Sequence, residues 1–171
     1  PNLYAFVSED YFNNEVEQAR SMLTDSMNVV DLWKTMLRLQ HCLDGHSGMD
    51  YIDVRSSFPL SYKDASFLYP DSVTDNEIFM NGMKVLSING LEAQKIIHEL
   101  YKCINAEENP KLRLCNLRRR FPSLTYSVLK LAPPYTVVYQ GKNGEEIVKT
   151  EMGISDRYTD YGNVFPDIPL D

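Results

Sequence analysis

The sequence predicts an α+β fold, helices first and a sheet behind them. Three observations carry this. Residues 1–50 place apolar side chains at helical spacing behind capping residues. After Gly48 the chain turns to β-branched and aromatic runs bounded by Pro, Asn and Gly. Between Gln94 and Leu131 helical spacing returns, so helices are inserted among the strands. The segmentation that follows is a helical part over 1–50, a strand-rich part over 51–155 and a linker or tail over 156–171.

The first helix starts at Ser8-Glu9-Asp10. The serine can cap, and the two acids suit the positive end of the helix dipole. Phe12, Val16, Ala19, Met22 and Leu23 supply its apolar face, and Thr24-Asp25-Ser26 breaks it. Asn28 starts a second helix, with Asp31 three positions on as a short version of the capping-box acid. Leu32, Met36, Leu39 and Leu43 form its stripe, and Gly45 is the expected C-cap.

Beyond Gly48, Tyr51–Val54, Phe58–Tyr62 and Ser66–Tyr69 read as strands. Residues 70–76 read as a polar loop. Lys84–Ile88 is a strand closed by Asn89-Gly90, a strong tight-turn signal. Gln94–Cys103 and Leu112–Phe121 are helical, with a further short helix over Tyr126–Leu131. Pro133-Pro134 then breaks the chain. Tyr135–Tyr139 and Glu145–Lys149 pair across the turn Gly141-Lys142-Asn143-Gly144. From Ser155 onward no periodicity remains.

Composition narrows the function classes. The 171 residues are 43% hydrophobic and 24% charged, enough to build a core. A net charge of -7 argues against nucleic acid as partner, because a basic face is the usual footprint. The run Arg118-Arg119-Arg120 reads as a solvated helix face. No apolar run reaches the roughly 18 residues a membrane helix needs. Cys42, Cys103 and Cys115 form no C-x-x-C pair and read as small buried hydrophobes, so no metal and no cofactor is expected. Asp71, Asp75 and Glu77 lack the glycine and closing glutamate of a calcium loop and read as solvated.

Two stretches carry a resemblance. Leu43-Asp44-Gly45-His46-Ser47 is similar to the Leu-x-Asp-Gly-His-Thr/Ser stretch in the helical region of C-terminal-processing (tail-specific or tricorn-like) serine peptidases. Asn81-Gly82-Met83-Lys84-Val85-Leu86-Ser87-Ile88-Asn89-Gly90 resembles the Gly-x-x-Val/Ile-Leu-x-Ile-Asn-Gly strand of the PDZ domain in that family. Their order and spacing, over residues 30 to 150, support the resemblance more than either stretch does. It implies an N-terminal helical pair or small bundle followed by a PDZ-like, partly open β-barrel with inserted helices.

The implied function is recognition of an extended peptide, such as a protein C-terminus, by strand addition beside a helix. Carried onto this chain, the groove lies between Ile96, Ile97 and Leu100 on the helix and Phe67, Leu68 and Tyr69 on a strand. The peptide would be presented to a catalytic domain of the parent chain, in the periplasm, the cell envelope or outside the cell. The alternative is a stand-alone PDZ-like interaction module with no peptidase attached.

In tricorn-like members the histidine matching His46 is the general base for a serine on a later domain. Gly45 stands where that pattern has a serine, and a helix cap or a metal ligand set with His41 and Asp44 are the other readings of His46. No serine of this sequence sits in a Gly-x-Ser-x-Gly elbow, so the chain by itself is expected to cut nothing.

Overall fold

The computed structural model describes residues 4–44 and 66–155. Its elements are helices α1 (Glu9–Ser21), α2 (Val29–Leu37), α3 (Ala93–Tyr101) and α4 (Pro110–Ser127), a 3-10 turn over Gln40–Cys42, and strands β1 (Ser66–Phe67), β2 (Ser72–Val73), β3 (Ile78–Met80), β4 (Met83–Ile88), β5 (Leu91–Glu92), β6 (Tyr135–Gln140), β7 (Glu146–Glu151) and β8 (Ile154–Ser155). Six strands form one open antiparallel sheet in the order β2-β3-β4-β6-β7, with β5 also on β4, while β1 and β8 pair separately. The fold is α+β. The expected strands over 51–54 and 58–62 lie outside the described residues.

Both early caps form as the sequence predicts. Ser8 Oγ accepts from Tyr11 N, and Asn28 Oδ1 accepts from Asp31 N at 3.0 Å. The second helix, however, ends at Leu37 rather than near Gly45. A turn and the 3-10 segment follow, and within the helix the buried side lies off the expected stripe. Leu32 and Met36 are 42% and 38% exposed, whereas Leu37 and Leu39 are buried. Leu37 joins the main core with Ile96, Leu100, Leu117 and Phe121, so the helical start and the sheet half bury side chains together.

Two Asn-Gly pairs turn the chain at the two ends of β4. Asn81 and Gly82 have φ of 53° and 69°, and Asn89 and Gly90 have 49° and 77°. Positive φ at both central positions is the signature of the hairpin turn whose twist matches the strands. The first joins β3 to β4 with Met80 opposite Met83, and the second joins β4 to β5 with Ile88 opposite Leu91. Asn89 does more than turn. Its Oδ1 accepts from Thr136 N at 2.7 Å, and its own N–H donates to Thr136 O at 2.8 Å, which locks β6 beside β4.

The α3 face made by Ala93, Ile96, Ile97 and Leu100 lies on this sheet and shares one core with Val85, Ile88, Val137 and Tyr139. Beyond it, α4 runs unbroken through Pro122 to Ser127, in place of the two shorter helices read from the sequence. Burial of Leu117, Phe121 and Leu124 outweighs the lost amide, and Thr125 Oγ1 donates to Phe121 O at 2.8 Å. The basic run on α4 is also corrected. Arg118 Nε donates to Pro70 O and Arg120 Nη1 to Cys103 O, leaving Arg119 exposed. Within the polar loop the structure adds β2, and past Glu151 it adds β8 at the margin of the expected tail.

Candidate functional site

The Leu43–Ser47 stretch begins on a frame the sequence does not reveal. His41 N donates to Lys102 O at 3.2 Å, and Leu43 O accepts from Ala106 N at 2.8 Å. Asn105 bridges the two sides. Its Oδ1 accepts from Gln40 Nε2 at 2.8 Å, and its Nδ2 donates to Asp44 O at 2.6 Å. The entry to the motif is thus held against the loop that follows α3. Gly45, His46 and Ser47 lie outside the described residues.

His41 anchors α1 to the same frame. Its Nδ1 is 2.7 Å from Arg38 O, and a carbonyl only accepts, so Nδ1 carries the proton. In the neutral ring Nε2 is then an acceptor, 3.3 Å from Tyr11 Oη and 3.5 Å from Cys42 Sγ. Glu15 stands 3.9 Å away, an ion pair only when the ring is charged. A thiol beside an imidazole invites a nucleophile reading, but the environment opposes it. Burial, and then the charge of Glu15, push the Cys42 thiol up to about 11. Cys103 is pushed up to about 12, chiefly by burial. Cys115 is exposed, against the expectation that all three cysteines are buried. Among the described residues no group of three or more His, Cys, Asp or Glu side chains is placed to hold a metal.

The residues expected to line the groove are placed as follows. Phe67 is buried against Tyr126, ring centroids 5.5 Å apart and edge to face, with Tyr69 beside them. Its strand pairs with β8, Phe67 opposite Ile154. Leu68, Ile96, Ile97 and Leu100 come together in the main core. Ile96 and Leu100 are fully buried, and Ile97 is 4% exposed. They join α3 to the sheet.

The open groove lies one face over. A cavity of about 420 Å³ runs between the Thr74–Glu77 turn and the outer side of α3, lined by Asp75, Asn76, Gln94, Ile97, His98 and Tyr101. The four helix positions follow the i, i+3, i+4, i+7 spacing of a single helical face. Sequence reasoning finds the helix and picks its apolar face, while the cavity sits on the polar face, where Gln94 and His98 are exposed. The turn itself is closed on internal bonds. Thr74 N donates to Glu77 O at 2.9 Å, and Thr74 Oγ1 accepts from Glu77 N at 3.0 Å and Asn76 N at 3.4 Å. Tyr101 is backed by Arg113, whose guanidinium lies 3.8 Å over the ring and donates to the carbonyls of Tyr101 and Ile104.

The chain matches no family model, no curated protein and no solved structure. No helix among the described residues is long and apolar enough to cross a membrane.

Proposed function

We propose that this chain is the non-catalytic, peptide-recognising region of a C-terminal-processing-type serine peptidase, PDZ-like in its sheet half and secreted or held in the envelope. One observation carries the reading. The groove lies along α3, the helix that follows Ile88-Asn89-Gly90, and is flanked by the Thr74–Glu77 turn that follows β2, a terminal strand of the sheet. A helix-lined groove near a terminal strand suits peptide docking by strand addition.

The peptide's main chain would pair with the short β2 edge. Its side chains would rest on Ile97 and Tyr101 while the side-chain amides of Asn76 and Gln94 satisfy polar groups. The order of elements from β4 through β5 and α3 to β6 agrees with the resemblance, and the Asn105 bridge holds the Leu43-Asp44 end of the first motif to the same body. Catalysis belongs to a domain of the parent chain, with His46 as its candidate base.

Fluorescence anisotropy with a labelled, unstructured decapeptide tests this. Gln94→Trp fills the groove from an exposed position, so the fold should stand while binding falls at least about tenfold. Equal binding by the two proteins would refute the placement. The purified chain is expected to leave the peptide uncut.

A further inference from the structure

The groove has a charge character that goes beyond peptide docking, and the inference drawn from it rests on that reading. Asp75 is exposed at the rim and pairs with none of the described residues. The neighbouring carboxylates are engaged: Glu77 pairs with Lys84 at 2.7 Å, and Asp71 accepts from Gly82 N at 2.8 Å. Among the described residues Asp75 is thus the unpaired carboxylate of the groove, which His98 also lines.

A free peptide C-terminus needs a cradle of backbone N–H groups or a fixed cation. Among the described residues, the turn side of the rim offers neither. The amides of Asn76 and Glu77 turn inward to Thr74 Oγ1, and that of Thr74 goes to Glu77 O. Among the described residues no lysine or arginine lines the cavity. Arg113 reaches Tyr101 from the ring's face, with Nη2 already donating to two carbonyls.

We infer that the groove takes an internal, extended peptide segment bearing a lysine or arginine, held through Asp75, rather than a free C-terminal carboxylate. The side chain's aliphatic stem lies on Ile97 and Tyr101 while its charge reaches the rim. The net charge of -7 adds a long-range pull on such a segment and opposes acidic ones.

The test uses labelled decapeptides of one parent sequence, with a central Lys, Gln or Glu, each with a free or an amidated C-terminus, titrated into the full chain and into Asp75→Asn. The Lys peptide should bind best, by about fivefold over Gln and by more over Glu at low salt. Amidation should not weaken it. On Asp75→Asn the Lys peptide should bind no better than the Gln peptide measured on the same variant, and raised salt should likewise erase the Lys preference. Free-acid peptides binding tenfold better than amidated ones, or Lys and Glu binding alike, would overturn this inference and leave peptide docking standing. No binding by any peptide would remove both.

Discussion

Asn105 Nδ2 donates to the carbonyl of Asp44 at 2.6 Å across 61 positions of sequence, while its Oδ1 accepts from Gln40 Nε2. This amide fixes the helical start of the chain to the loop behind α3. Asn105→Ala strips both partners and leaves a partly buried amide and carbonyl to find water. The expected loss is about 1–3 kcal/mol in urea unfolding, with unchanged far-UV circular dichroism. A loss under about 0.5 kcal/mol would mean the bridge is idle.

Gly153 sits where β8 meets β1. Its φ is +73°, and a Cβ there would stand 2.8 Å from the backbone N and O of Phe67. Gly153→Ala should cost about 1–3 kcal/mol and strip amide protection from Phe67 and Ile154 in hydrogen exchange. Gly144→Ala is the control. It has a similar φ of +87° but open space around it, so it should cost only the backbone term, about 1 kcal/mol, with β1 still protected.

Burial pushes the Tyr135 and Tyr139 hydroxyls up to about 12. In the unfolded chain they ionise near 10, so from about pH 10 upward the unfolded state loses protons that the folded state retains. The stabilising contribution is complete below pH 10 and disappears between 10 and 12, at about 1.4 kcal/mol per pH unit for each group. Tyr139→Phe should flatten this decline in pH-dependent urea midpoints, at the cost of the bond from its hydroxyl to Glu151. A decline as steep as in the parent would contradict the assignment.

Thiol labelling separates the cysteines. Cys115 should react within minutes with a disulfide reagent at pH 8, whereas Cys42 and Cys103, 1% and 0% exposed with raised pKa values, should react only on opening. More than one fast thiol in the native protein would show that the 3-10 turn or α3 opens readily.

Local chemistry was the legible part of this fold. The Ser8 and Asn28 caps, the Asn89-Gly90 turn and the Gly141–Gly144 hairpin are written in adjacent residues, and each forms. Asn81-Gly82 carries the same turn signal, but the strand before it, Ile78–Met80, is too short to show alternation. The non-local part was hidden. Leu37 rather than Met36 is buried because α3 and α4 supply its neighbours, and nothing within the helix announces them. Pro122 reads as a break until the packing around Phe121 and Leu124 is seen.

The candidate site shows the same division. Apolar spacing on α3 points to Ile96, Ile97 and Leu100, but in a helix lying on a sheet the regular apolar face is the buried one. The groove face carries Gln94 and His98, whose meaning depends on the Thr74–Glu77 turn opposite them. Only the three-dimensional pairing of turn and helix makes that face visible.

Backbone amide chemical shifts, recorded while an unstructured lysine-containing decapeptide is added to the full chain, test peptide recognition along α3 most directly. The groove predicts saturable shifts at Asp75, Asn76, Gln94, His98 and Tyr101, and little change on the exposed strand β7. No saturable shift at those positions, or shifts confined to β7, would contradict it.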